Sequence, residues 1–243
     1  MHNLNNFFEY NICDSTNSRA REYVLSGGDL PALFFASSQS AGRGRRGKSF
    51  YSPDATGLYM TLAIPYDNNS RNNVTLTTAV SVAVLRALSP ITEKRLSIKW
   101  VNDILADGKK VAGILCETAC DPQTKIIKAI IIGIGVNLTT SIFPDDISDT
   151  ATCLCEELPD RRTIALSICD ELFKVLYKED SASVMEFYRK ESAVIGRDIF
   201  YIKNGIRYDA KAISIDDAGG LIVTHPDGTK ATLTSGEITL RIK

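Results

Sequence analysis

Histidine is nearly absent from this chain: His2 and His225 are the only two in 243 residues. Chemistry built on an imidazole base, or on a histidine-rich metal centre, therefore has little to work with. No two cysteines have the Cys-x-x-Cys spacing, which argues against the common structural zinc frameworks. A long apolar run is missing as well. The longest, near Ala129–Ile134, is far shorter than a membrane span. The opening Met1-His2-Asn3-Leu4-Asn5-Asn6 lacks the charged-then-apolar layout of a signal peptide. Nor is there an excess of one charge. The 28 Lys+Arg against 29 Asp+Glu leave a formal net charge of −1, so the molecule as a whole is no polycation seeking nucleic acid. Any basic function must be local. Internal repeats and low-complexity tracts are lacking too.

These absences predict a cytoplasmic protein with no membrane association. Cys13, Cys116, Cys120, Cys153, Cys155 and Cys169 make an even count, but a disulfide framework needs a secreted context that nothing here offers. Buried, reduced thiols are the expectation. A composition of 44% hydrophobic and 23% charged residues suits an ordinary buried core.

Hydrophobic periodicity predicts a helix over about Ser18–Leu25, with Ser15, Thr16 and Asn17 as capping candidates. Strands are expected at Leu33–Ala36, Leu58–Pro65, Ile98–Trp100, Lys109–Cys116 and within Lys125–Asn137. Val74–Leu88 reads as an apolar helix stopped by Ser89-Pro90, and Arg162–Lys178 as an amphipathic one. A shorter helix is expected to run on to about Ala193, and Asp145–Asp160 reads as acidic and irregular. After Gly196 the turn signals Asn204-Gly205, Asp217-Ala218-Gly219-Gly220 and Asp227-Gly228 mark hairpins of a small antiparallel barrel of four or five strands. A domain boundary is placed near residue 194, dividing the chain into 1–193 and 194–243.

The most informative stretch is Gln39-Ser40-Ala41-Gly42-Arg43-Gly44-Arg45-Arg46-Gly47-Lys48-Ser49. Four cations sit among three glycines, and no acid lies between Ser37 and Pro53. Glycine lets backbone approach a ligand, and arginine offers paired donors to phosphate or carboxylate, so this is an anion-binding loop. The plainer alternative is a solvated basic loop or one that touches nucleic acid. Gly42–Ser49 also fits G-x-x-x-x-G-K-S, the phosphate loop of nucleotide hydrolases. That motif must run into a helix, and Phe50-Tyr51-Ser52-Pro53-Asp54-Ala55-Thr56-Gly57 cannot make a long one.

Lys99-Trp100-Val101-Asn102-Asp103 places a cation, an aromatic ring, an amide and a carboxylate at a strand end, where a capping turn is the alternative reading. Lys109–Glu117 puts a lysine before a small, glycine-containing strand. Gly133-Ile134-Gly135-Val136-Asn137 is only half of a dinucleotide fingerprint and reads better as a buried strand delivering Asn137 to an edge.

Together these segments resemble the biotin protein ligases. Ser15-Thr16-Asn17 is similar to the family's S-T-N, Gln39–Gly47 to Q-x-x-G-R-G-R-R-G, and Lys99–Asp103 to K-W-P-N-D. Lys110–Leu115 resembles K-x-A-G-I-L, Gly133–Asn137 resembles G-I-G-x-N, and Gly236–Arg241 resembles G-E-[IV]-S-L-R. The matches follow the family's order over nearly the whole chain.

The resemblance implies an α+β fold: a mixed sheet with helices, related to class II aminoacyl-tRNA synthetases and lipoate ligases, plus a carboxy-terminal barrel similar to SH3 domains. It implies activation of biotin by ATP with Mg2+, then transfer to a lysine of a biotin carboxyl carrier protein. Ser15, Thr16 and Gln39 would hold the biotin rings with Asn17 in support. Gly42, Arg43, Gly44, Arg45, Lys110 and Gly113 would meet biotin or the adenylate. Arg46, Phe50, Lys99, Trp100, Asn102 and Asn137 would lie on the ATP side. Arg45, Lys110 and Asp103 would act in the chemistry, Asp103 by orienting or deprotonating the acceptor lysine. Metal ligands are left unassigned, and both monomer and homodimer stay open.

Three departures from the family pattern stand out. Val101 replaces the usual proline, implying a looser turn, and Phe50 stands near a usual tryptophan. The family's bifunctional members carry an amino-terminal winged helix, whereas Ser15 already begins the catalytic motif here, so DNA binding and repression are not expected. A lipoate or octanoate ligase on the same scaffold, and a non-catalytic biotin sensor, are the alternative readings. The glycine content and charge of Gly42–Ser49 further predict a loop that a phosphate-bearing ligand orders.

Overall fold

Long apolar strands need cover on both faces, and the central strands of this protein find it. The computed structural model describes residues 4, 6–66, 73–234 and 239–242. In chain order the first elements are β1 (Asn6–Cys13), α1 (Thr16–Leu25), β2 (Ala32–Gln39), β3 (Gly57–Pro65) and α2 (Asn73–Leu88). Next come β4 (Leu96–Lys99), β5 (Asp103–Ala106), β6 (Lys109–Cys120), β7 (Ile127–Asn137), α3 (Arg161–Tyr177) and α4 (Ser181–Lys190). They form a seven-stranded sheet in the order β1-β2-β3-β7-β6-β5-β4, in which β1 and β2 run parallel and the other neighbours antiparallel. A five-stranded antiparallel sheet follows, made of β8 (Asp198–Lys203), β9 (Ile206–Ile215), β10 (Leu221–Thr224), β11 (Lys230–Leu233) and β12 (Thr239–Ile242). Its order is β11-β10-β9-β8-β12.

Alternation along β7 shows how the layers form. Ile130, Ile132 and Ile134 enter the main core with α2 and α3, while Ile131 packs on the other face with Ala20 and Val24 of α1. The same main core continues into Ile199, Ala212, Leu221 and Val223 of the second sheet. Trp100 Nε1 also donates to Gly219 O at 2.9 Å, and Arg189 Nε to Ile215 O at 2.6 Å. No helix among the described residues is long and apolar enough to cross a membrane.

Several expectations shift in detail. α1 starts at Thr16, and Ser15 takes the N-cap position without a side-chain capping bond. α3 is capped by Asp160, which accepts from the amides of Arg162 and Thr163. β1 falls where the sequence reads as merely polar, because an edge strand needs only half of its residues buried. β5 was also missed, although the Asp107-Gly108 pair that turns it into β6 carries positive φ at both residues (49° and 83°), the habit of a tight hairpin turn. The six cysteines are free, but only Cys13 and Cys169 are buried. The stretch Gly236–Ile238 of the closing motif lies outside the described residues.

The turn at Val101 is not loose. Val101 is 1% exposed, and its carbonyl accepts from Tyr188 Oη at 3.2 Å and lies 3.2 Å from Ser81 Oγ. Asn102 is tied to β6 through Ile114 N→Asn102 O at 3.0 Å and Asn102 Nδ2→Ile114 O at 2.9 Å. The Trp100–Val101 peptide is cis. Burial holds the Tyr188 hydroxyl well above the ordinary tyrosine range. Tyr188→Phe is expected to cost about 1–3 kcal/mol, the range for an acceptor left unsatisfied, because the one proton of Ser81 Oγ makes its shorter bond to Thr77 O at 2.8 Å and not to the Val101 carbonyl. Urea unfolding measures this; a loss beyond that range would mean that the hydroxyl carries more than this one bond.

Candidate functional site

The floor of the site is glycine. Across β6 and β7, Gly113 pairs with Gly135 and Leu115 with Gly133. A Cβ on Gly135 would come within 2.5 Å of the Phe50 ring, and one on Gly113 within 3.0 Å of that ring and 3.2 Å of Lys110 Nζ. A Cβ on Gly133 would meet Asn17 Oδ1 at 2.1 Å. These glycines let Phe50 and Asn17 from elsewhere in the chain, and Lys110 of β6 itself, lie directly on the sheet. A cavity of about 1120 Å³ opens above them.

One wall is neutral and polar. Ser15, Thr16 and Asn17 are buried at the start of α1. Gln39, at the end of β2, accepts from Thr16 N at 2.8 Å through Oε1 and donates to Ser52 Oγ at 3.0 Å through Nε2. Sequence reasoning missed the residue that joins this wall together. Thr61 of β3 is fully buried; its hydroxyl donates to Asn17 Oδ1 at 2.6 Å and lies 2.8 Å from Thr16 Oγ1. A lone threonine inside the apolar run Leu58–Pro65 was the available signal, since a buried polar group needs a partner. Glu117 was missed as well: it accepts from Asn17 Nδ2 at 3.0 Å and from Arg43 Nη2 at 2.8 Å.

The other wall is cationic. Gly42–Ser49 folds back on itself through an Arg43–Ser49 bridge, Gly44 N→Lys48 O at 2.7 Å and Phe50 N→Gly42 O at 2.9 Å. It holds a single 3-10 turn, Arg45–Gly47, and runs on to β3, so the helix that a hydrolase phosphate loop needs is not there. Arg45 Nη1 donates to Asn102 Oδ1 at 3.2 Å. Burial, and after it the neighbouring Arg46, lowers the Arg45 guanidinium from its ordinary value, though arginine keeps its charge. Gly42, Arg43, Gly44 and Arg46 line the same cavity, as do Lys99 and Trp100 from the end of β4 and the turn beyond it.

Lys110 and Asp103 meet between these walls, Nζ to Oδ1 at 2.7 Å. The backbone of Lys110 is fixed by Lys110 N→Thr150 O at 2.7 Å and Thr152 N→Lys110 O at 2.9 Å. Those bonds bring the acidic 144–150 segment to the cavity, where Asp146, Ile147 and Asp149 join the lining. The sequence reading had given that segment no role. Asn137 goes the other way. It is 5% exposed, donates to Thr152 O at 3.3 Å, and is not part of the cavity wall, so the structure does not bring it together with the rest. Among the described residues no three His, Cys, Asp or Glu converge as a metal site.

A floor of glycines, a hydrogen-bonding wall, an arginine loop and a lysine–carboxylate pair make a site for joining an anion to a second, polar molecule. The comparisons agree in class. The sequence model of the biotin/lipoate A/B protein ligase family matches residues 10–137, and the chain belongs to that family. It is 29% identical over 230 residues to the bifunctional ligase/repressor BirA of Bacillus subtilis, covering 91% of this chain and 70% of that protein. It is 28% identical over 235 residues to the biotin--[acetyl-CoA-carboxylase] ligase of Mycobacterium tuberculosis, covering 92% and 85%. Among solved structures, the biotin protein ligase of Aquifex aeolicus in complex with biotin and ATP superposes with a TM-score of 0.83 at 27% identity, covering 98% of this chain and 100% of that one.

Gly133→Ala tests the floor. Asn17 is held by Thr61 and Glu117 and cannot yield freely, so the extra methyl is expected to destabilise the fold by about 1–3 kcal/mol, the range for overpacking. Chemical denaturation reads this; an unchanged midpoint would show that Asn17 moves aside at no cost.

Proposed function

We propose that this chain is a biotin–protein ligase: it uses ATP to convert biotin to biotinyl-5′-AMP, then transfers the biotinyl group to a lysine on the biotin carboxyl carrier domain of an acetyl-CoA-carboxylase-type enzyme. The observation that carries this is the meeting, in one cavity, of a neutral hydrogen-bonding wall with Arg43, Arg45, Arg46 and the Lys110–Asp103 pair. The relatives named above as biotin ligases support the choice of substrate.

In the first step a biotin carboxylate oxygen attacks the α-phosphorus of ATP and pyrophosphate leaves. Two anions must come together, and Arg45 with Lys110 would neutralise the charge that moves between them. Ser15, Thr16, Asn17 and Gln39 would hold the ureido ring, whose one carbonyl and two N–H groups suit uncharged partners. A lipoyl dithiolane carries no such groups, and this favours biotin over the other substrate of the family. In the second step the acceptor amine attacks the acyl carbon and AMP leaves. Asp103 would orient that amine or take its proton once Lys110 has turned to the ligand's anion.

Magnesium fits this site as an ion carried on the nucleotide's phosphates. Asp146 and Asp149 are the further carboxylates of the cavity lining, and Mg2+ characteristically takes one or two carboxylates while keeping waters and phosphate oxygens. When bound it would supply charge neutralisation at the phosphates. A formal charge near zero supports a protein partner over nucleic acid. We assign this chemistry to residues 1–193 and read 194–243 as an appended domain.

The test is biotin-dependent exchange of labelled pyrophosphate into ATP. Exchange is expected with biotin and not with lipoate, and Lys110→Ala and Arg45→Ala should each lower it by about 100-fold or more. Biotin binding without exchange would replace the ligase by a sensor. A second measurement follows the loop. Ordering eight residues costs roughly 1–2 kcal/mol each against about 1.5–3 kcal/mol per charge-assisted hydrogen bond, so the bonds of Arg43 to Glu117 and Arg45 to Asn102 hold the loop only in part, and a ligand making several more would hold it further. Amide exchange across Gly42–Ser49 should slow when biotin and a non-hydrolysable ATP analogue are added together; equal protection with and without them would remove the closing loop from the mechanism.

A further inference from the structure

Glu117 sits on β6 between the two walls with its side chain 19% exposed. One oxygen pair serves two masters: Asn17 Nδ2 at 3.0 Å from the neutral wall and Arg43 Nη2 at 2.8 Å from the arginine loop. Arg21 stands behind it at 3.7 Å, its guanidinium anchored on Thr118 O at 2.8 Å. A carboxylate can only accept hydrogen bonds. Asn17 must therefore turn its NH2 towards Glu117 and its carbonyl towards Thr61, where the hydroxyl donates at 2.6 Å. Thr61 has a single proton, and giving it to Asn17 leaves the Thr61 oxygen facing Thr16 Oγ1 at 2.8 Å as an acceptor. Asn17 has no room to settle elsewhere. It is 4% exposed, and its carbonyl oxygen occupies the space that a Cβ on Gly133 would need.

We infer that Glu117 is a positioning residue for biotin: it fixes the donor–acceptor direction of the Thr16–Asn17–Thr61 wall and, with the same carboxylate, tethers Arg43 of the closing loop. The inference rests on the biotin reading of the site. A ureido ring presents its acceptor and donors in a fixed arrangement, and a wall of reversed polarity would meet it donor to donor, leaving buried groups unpaired.

Glu117→Gln keeps the shape but adds a donor, so Asn17 is free to flip. In biotin-dependent pyrophosphate exchange the KM for biotin should rise about tenfold or more, the equivalent of losing one charge-assisted hydrogen bond. The KM for ATP should hold, and kcat at saturating biotin should stay within about threefold, as for a residue acting through binding. Glu117→Asp, still acceptor-only, should fall closer to wild type than Glu117→Gln. Combining Glu117→Gln with Asn17→Ala should fall short of additive, because the two share one hydrogen bond while the Arg43 tether is lost separately. Without ligand, amide exchange over residues 42–49 should quicken in Glu117→Gln as Arg43 is released. An unchanged biotin KM, a loss confined to kcat, a worse Asp than Gln variant, or additive effects would each overturn the assignment. Wild-type protein is the control for the underlying reading. If it shows no exchange, the ligase reading fails by itself, and biotin affinity by calorimetry with the loop's amide exchange still decides the role of Glu117.

Discussion

The rest of the site depends on how closely side chains can approach one sheet surface. Gly113 and Gly135 face each other across β6 and β7, with Gly133 two residues along, and where they lack a Cβ the sheet takes Phe50, Lys110 and Asn17 instead. Antiparallel register decides that these glycines fall side by side, and Ile114 and Ile134 between them bury the opposite face in the main core. A single added methyl would push away either the aromatic ring or the amide, so floor and walls cannot be varied independently.

Charge is arranged locally against a nearly neutral whole. The cations of the cavity wall each have a partner within the protein: Arg43 on Glu117, Arg45 on Asn102 and Lys110 on Asp103. These contacts fix the positive charge in place and limit the cost of burying it. The loop is shaped for the same purpose. Arg46 (φ 58°) and Gly47 (φ 73°) turn left-handed in sequence, which folds Gly42–Ser49 into a compact flap.

Much of this was readable beforehand, for identifiable reasons. The arginine–glycine loop, the S-T-N triplet and the Lys110 strand are local: their chemistry is written in consecutive residues. The long helices and the hairpins after Gly196 follow from periodicity and turn residues, which need no tertiary information. β1 and β5 escaped because an edge strand and a four-residue hairpin arm carry too little periodicity to stand out. Thr61 and Glu117 escaped for another reason. Each is an ordinary residue in its own strand, and its importance comes from side chains 44 and 100 positions away.

The sequence by itself determined the family, because its motifs are residue types at short spacing, and through that resemblance it gave the mixed α+β architecture. Only the tertiary structure decided which residues share the cavity. It withdrew Asn137 into a bond with Thr152, brought the acidic 144–150 segment in beside Lys110, and made Glu117 the link between two walls. The physical reason is register. Which side chains meet across a sheet is set by how distant strands align, and a hydrogen bond formed at 3 Å leaves no trace in the spacing of either partner along the chain.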